Sequence, residues 1–104
     1  MRTLSILCAV CLLLGCQLTN NAPPPVTPAM TNAGQRNHAD LATLNEGRRL
    51  FVSRCIECHT LPPFWHYSAK DWPGIVDSMA LRANLKRNER DAIVAYILAA
   101  RSAL

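Results

Sequence analysis

The tightest constraint in this chain of 104 residues is the pentad Cys55-Ile56-Glu57-Cys58-His59. If it closes a helical turn, Cys55, Cys58 and His59 fall at i, i+3 and i+4, which puts all three side chains on one face. Two thiols and an imidazole so placed grip one flat ligand at three points.

Four chemistries compete for such a pentad. A C-x-x-C redox dithiol belongs in a βαβ context, and no strand-period run flanks this pair. Zinc asks for four ligands, and no second C-x-x-C or H-x-x-x-H pair follows. Two core cysteines beside an incidental histidine are the plain structural alternative. C-x-x-C-H is also the spacing of c-type haem attachment, in which the thiols add across two vinyl groups and the imidazole lies under the iron. The haem reading is the one the rest of the sequence favours.

The chain opens as an export signal. Met1-Arg2 is a short positive start, and Leu4 to Leu14 is almost wholly apolar, too short to span a bilayer but the length of a signal core. Leu13-Leu14-Gly15-Cys16 then resembles a bacterial lipoprotein signal, which implies cleavage after residue 15 and a lipid on Cys16. Gln17, where some lipoproteins carry the aspartate that retains them in the inner membrane, weakly favours the outer one. The localisation implied is the bacterial cell envelope, on the periplasmic side and lipid-anchored.

On this reading all five cysteines are used: Cys8 and Cys11 leave with the signal, Cys16 takes lipid, and Cys55 and Cys58 hold the cofactor. No disulfide is needed, although the compartment is oxidising. Cys8-Ala9-Val10-Cys11 has the same spacing but ends in Leu12, so it is not a second haem site. The mature chain keeps 89 residues and a formal charge of +3 once Arg2 is gone. A unit that small has a thin core, and a buried porphyrin would thicken it. Its basic charge does not imply nucleic acid, which an exported protein does not meet.

Residues 17 to 38 are rich in Pro, Asn, Thr and Ala, with Pro23-Pro24-Pro25 and Pro28. That composition predicts a flexible tether, holding the domain about 25 Å from the membrane as a coil. The domains expected are therefore 1–15, a signal that is removed; 16–39, the lipidated cysteine and its tether; and 40–104, the haem domain.

Within that domain, Thr43-Leu44-Asn45-Glu46 fits a capping box and predicts a helix over 44–55. Leu44, Gly47, Phe51 and Cys55 make one stripe of it, and a mid-helix glycine there suggests that another helix crosses closely. A last helix over 87–101 buries Ile93, Tyr96, Ile97 and Ala100. Between them, Asp71 is a fair N-cap for a short helix whose face is Trp72, Ile75, Val76 and Met79.

Gly47 and Phe51 before the pentad, with Ile93-Val94-Ala95-Tyr96-Ile97 at the end, resemble the crossed terminal helices of the small c-type cytochromes. The likeness covers residues 40–104. It implies an all-α, cytochrome c-like fold packed around one covalent haem c, with Cys55 and Cys58 as attachment points and His59 as the proximal iron ligand. Trp72, Val76 and Met79 are similar to a tryptophan-valine-methionine helix of bacterial haem c domains, which implies Met79 as the distal ligand. His66, only seven residues from His59, is the rival, and an iron with no distal protein group is the third option. The 20 residues from His59 to Met79 are fewer than in many such cytochromes, which leaves more of the haem edge open.

Arg82, Lys86, Arg87 and Arg90 form a basic run whose plain reading is a solvated face and whose functional one is a dock for an acidic redox partner. No Ser/His/Asp set, no cleft of paired carboxylates and no nucleotide loop is legible. The expectation is thus an electron carrier, not an enzyme in its own right, anchored to a membrane and serving redox proteins. Two alternatives stay open: a haem-based sensor with an open distal site, and the haem subunit of a larger dehydrogenase complex.

Overall fold

The computed structural model describes residues 23–55 and 63–103. Four α-helices make up the described chain: α1 (Pro28–Gln35), α2 (Leu41–Leu50), α3 (Trp72–Ala80) and α4 (Arg87–Ser102). There is no strand among the described residues. The all-α expectation holds, and the arrangement is compatible with a cytochrome c-like fold. No helix among the described residues is long and apolar enough to cross a membrane.

The fold is organised by α4, which packs against each of the other three helices and most extensively against α2. Its buried residues include Ile93, Tyr96, Ile97 and Ala100, the face that the periodicity predicts. At its start the Glu89 carboxylate accepts the Lys86 backbone N–H at 3.0 Å, which satisfies a group left over there.

Gly47 explains the closeness of the α2–α4 contact. A Cβ built there would overlap the Ala92 carbonyl oxygen and stand only 2.8 Å from the Tyr96 Cβ. Leu44, Gly47, Leu50, Phe51 and Cys55 are all buried, so the predicted stripe of α2 is the one that meets the core. The start of α2 differs from expectation. Asp40, not Thr43, is the N-cap, its carboxylate accepting the Thr43 N–H at 2.8 Å, while Glu46 pairs with Arg49 at 2.6 Å. Both Asp40 and Thr43 are competent caps, and the earlier one adds most of a turn to the helix.

Past Leu50 the helix widens into a π turn, Phe51–Cys55. Such turns are rare and concentrate at functional positions. This one delivers Cys55 into the core.

The largest departure lies upstream of residue 40. Where a flexible tether is predicted, the structure has α1, with Met30, Ala33 and Gly34 buried. Two local signals build it: the Thr27 hydroxyl accepts the Met30 N–H at 3.2 Å, and Pro28 occupies a first-turn position where its missing N–H costs nothing. The chain then reverses through His38 at φ 59°, and the Ala39 N–H returns to the Gly34 carbonyl at 2.9 Å. Gly34 is needed there, because a Cβ would stand 2.8 Å from the Ala39 oxygen and 2.9 Å from Leu44 Cδ1. The packed unit therefore includes residues upstream of 40, among them Met30, Ala33 and Ala39.

Candidate haem site

Cys55 is 5 % exposed and shares one apolar core with Phe51, Trp72, Val76 and Tyr96. Phe64, from the loop before α3, is the hub of an aromatic cluster beside it. Its ring centroid lies 5.5 Å from Phe51, 5.8 Å from Tyr96 and 6.3 Å from Trp72. The Phe64 ring is edge-on to Tyr96 and Trp72 and tilted to Phe51, and edge-on pairs at these separations add to what their buried area contributes. The loop is tied down at both ends: Trp72 Nε1 donates to the Phe64 carbonyl at 2.8 Å, and Arg101 Nε donates to the Tyr67 carbonyl at 3.0 Å.

Asp71 is the N-cap of α3, as expected, but its carboxylate makes no capping bond to the helix and pairs with Ser68 instead. The Ser68 hydroxyl accepts the Asp71 N–H at 3.2 Å and donates to the Asp71 carboxylate at 2.7 Å. Along α3, Trp72 and Val76 are buried and Met79, one turn further, is half-buried. His66 is exposed, its ring edge-on to Tyr67 at 4.8 Å. Cys16, Cys58 and His59 lie outside the described residues.

Ser53, two positions before Cys55, has a buried hydroxyl with no hydrogen-bond partner among the described residues. A buried polar atom left so costs free energy unless something else satisfies it. An apolar aromatic surround and a buried thiol at the end of a helix fit a flat, largely apolar cofactor.

The electrostatics of the basic run are narrower than the sequence suggests. Arg90 donates to Asp77 at 2.5 Å and to Asp91 at 2.8 Å, and these hydrogen bonds hold its pKa above the ordinary value. Arg90 is thus a neutralised cation bracing α3 against α4. Arg82, Lys86 and Arg87 remain exposed. Beside them is an open cleft of about 550 Å³ lined in part by Leu81, Leu85 and Arg87, and Leu81 is 89 % exposed.

Two features of the described chain have no counterpart in the sequence reading. Arg48 Nε and Nη2 donate to the carbonyls of Pro24 and Pro23 at 3.1 and 3.0 Å, and the Tyr96 hydroxyl donates to Pro24 at 2.6 Å. Burial pushes the Tyr96 phenol up from its ordinary value, with Arg48 opposing part of the shift. Thr27-Pro28 was the available signal for α1. The carbonyl contacts have none, since any backbone oxygen serves.

A helical chain with a buried cysteine opening C-x-x-C-H is the kind of protein that c-type cytochromes are, and comparison with known proteins supports that class. Over 73 residues, 69 % of this chain, it is 34 % identical to the cytochrome c-type protein TorY of Haemophilus influenzae. The chain spans 20 % of that relative's length. No family model matches the chain, and no solved structure does.

Proposed function

We propose that this protein is a single-haem c-type cytochrome, lipid-anchored at Cys16 on the periplasmic side of the bacterial cell envelope, that passes single electrons between redox proteins. The observation that carries the reading is the pentad at residues 55–59, its first cysteine buried against the aromatic cluster of Phe51 and Phe64. A covalently held haem supplies a one-electron ferrous/ferric couple. Cys55 and Cys58 would fix its position, and His59 and Met79 would supply the protein ligands to its iron. Phe64, Trp72 and Val76 exclude water from the neighbourhood of Cys55, which keeps the surroundings apolar.

Arg82, Lys86 and Arg87, with exposed Leu81 among them, suit an acidic redox partner that is steered by charge and seated by a small apolar contact. The likeness to TorY supports the cytochrome class, and the outer membrane is the preferred site of anchoring. Carbon monoxide added to the reduced protein tests the carrier role. An unchanged spectrum over minutes supports a carrier with Met79 in place, whereas immediate binding points to a ligand sensor instead.

A further inference from the structure

We propose that residues 23–35 are a docked strap rather than a lead, and that the strap holds the haem domain close over a phospholipid headgroup surface. The inference rests on the lipid at Cys16. What it adds is an upper bound on the distance between that lipid and the packed residues.

Three donors from two helices converge on two consecutive prolyl carbonyls. Arg48 on α2 reaches both Pro23 and Pro24, and Tyr96 on α4 reaches Pro24. Prolines have no N–H, so their carbonyls are the only backbone groups by which such a segment can be held, and the ring fixes φ and lowers the entropy lost on docking. Downstream, Met30 is 2 % exposed and α1 packs on α4. Burying a side chain of that size removes apolar surface from water, a gain that a freely swinging tether would forgo.

Reach decides the consequence. A lead running from Cys16 to residue 40 extends at most about 85 Å, whereas one ending at Pro23 extends at most about 25 Å. The folded unit then stays within about one domain diameter of the bilayer, with the Arg48–Tyr96 side toward it. The redox partner it serves is one seated at the same membrane, because a partner well away from the surface lies beyond its reach.

The test uses the lipidated, full-length protein with a dye on S102C, in phosphatidylcholine vesicles carrying a headgroup-labelled acceptor lipid. Energy transfer is expected to be high in the parent. It should fall at least twofold in Y96F/R48Q and further when twenty Gly-Ser residues are inserted after residue 22. Equal transfer in the parent and the insertion variant overturns the short lead. Amide exchange over residues 29–35 reads the strap without any membrane: it should be at least tenfold faster in Y96F/R48Q, and already fast exchange in the parent overturns docking. Failure of vesicle binding, with an intact mass lacking lipid, overturns the anchor and the membrane placement, while the exchange result still decides the strap.

Discussion

Gly47 lies against the backbone of Ala92 so closely that a Cβ on the glycine would stand 2.7 Å from the Ala92 carbonyl carbon. α2 and α4 therefore touch main chain to main chain. G47A should destabilise the fold by about 1–3 kcal/mol or more, because backbone cannot give way as a flexible side chain does. Gly74 is the control. Nothing lies within 4 Å of a Cβ built there, so G74A should stabilise α3 by up to about 1 kcal/mol. Denaturant unfolding of the two variants reads the opposite signs.

Acid should weaken the start of α2. The Thr43 backbone N–H, bonded to the Asp40 carboxylate, holds that carboxyl below its ordinary 3.8, and Arg49 does the same to Glu46 from 4.5. With folded values lower than unfolded ones, the stabilisation is complete above those ordinary values and is lost as pH falls through the folded ones. Thermal unfolding of the parent should therefore steepen its decline below about pH 4. D40N keeps a capping oxygen without the titration and should flatten that part of the curve.

How much of this was legible in the sequence follows from how local each signal is. The face of α4 and the stripe from Leu44 to Cys55 were readable, because each is a repeat within one helix. The cap of α2 was misplaced by three residues, since Asp40 and Thr43 carry the same chemistry. The strap was hidden by its composition: four prolines in six residues, 23 to 28, outweigh the spacing of Met30 and Ala33, and its partners Arg48 and Tyr96 lie far along the chain. Arg90 read as one of four like cations, while its partner Asp77 sits 13 positions away on another helix. The pentad and the lipoprotein-like junction were the plainest motifs of all, and most of their residues fall outside the described ones.

With Arg90 neutralised by Asp77 and Asp91, the steering charge rests on Arg82, Lys86 and Arg87. K86E/R87E should slow electron exchange with an acidic partner about tenfold or more at low ionic strength and converge on the parent rate at high salt. Stopped-flow absorbance across a salt series measures this. A rate that does not change at low salt removes the basic docking face.

Met79 is half-buried on the stripe that holds Trp72 and Val76. A thioether ligand gives the oxidised protein a weak sulfur-to-iron band in the far red, and M79A should abolish it while leaving the attached cofactor in place. H66A should leave the band intact. The converse pair of results moves the distal ligand to the loop before α3.

Intact-mass analysis of protein purified from a host able to mature c-type cytochromes bears most directly on the whole account. The account predicts one added haem that survives denaturation, and its loss in C55S/C58S. A mature chain of bare polypeptide mass, cooperatively folded and with both thiols open to alkylation after unfolding, would contradict it.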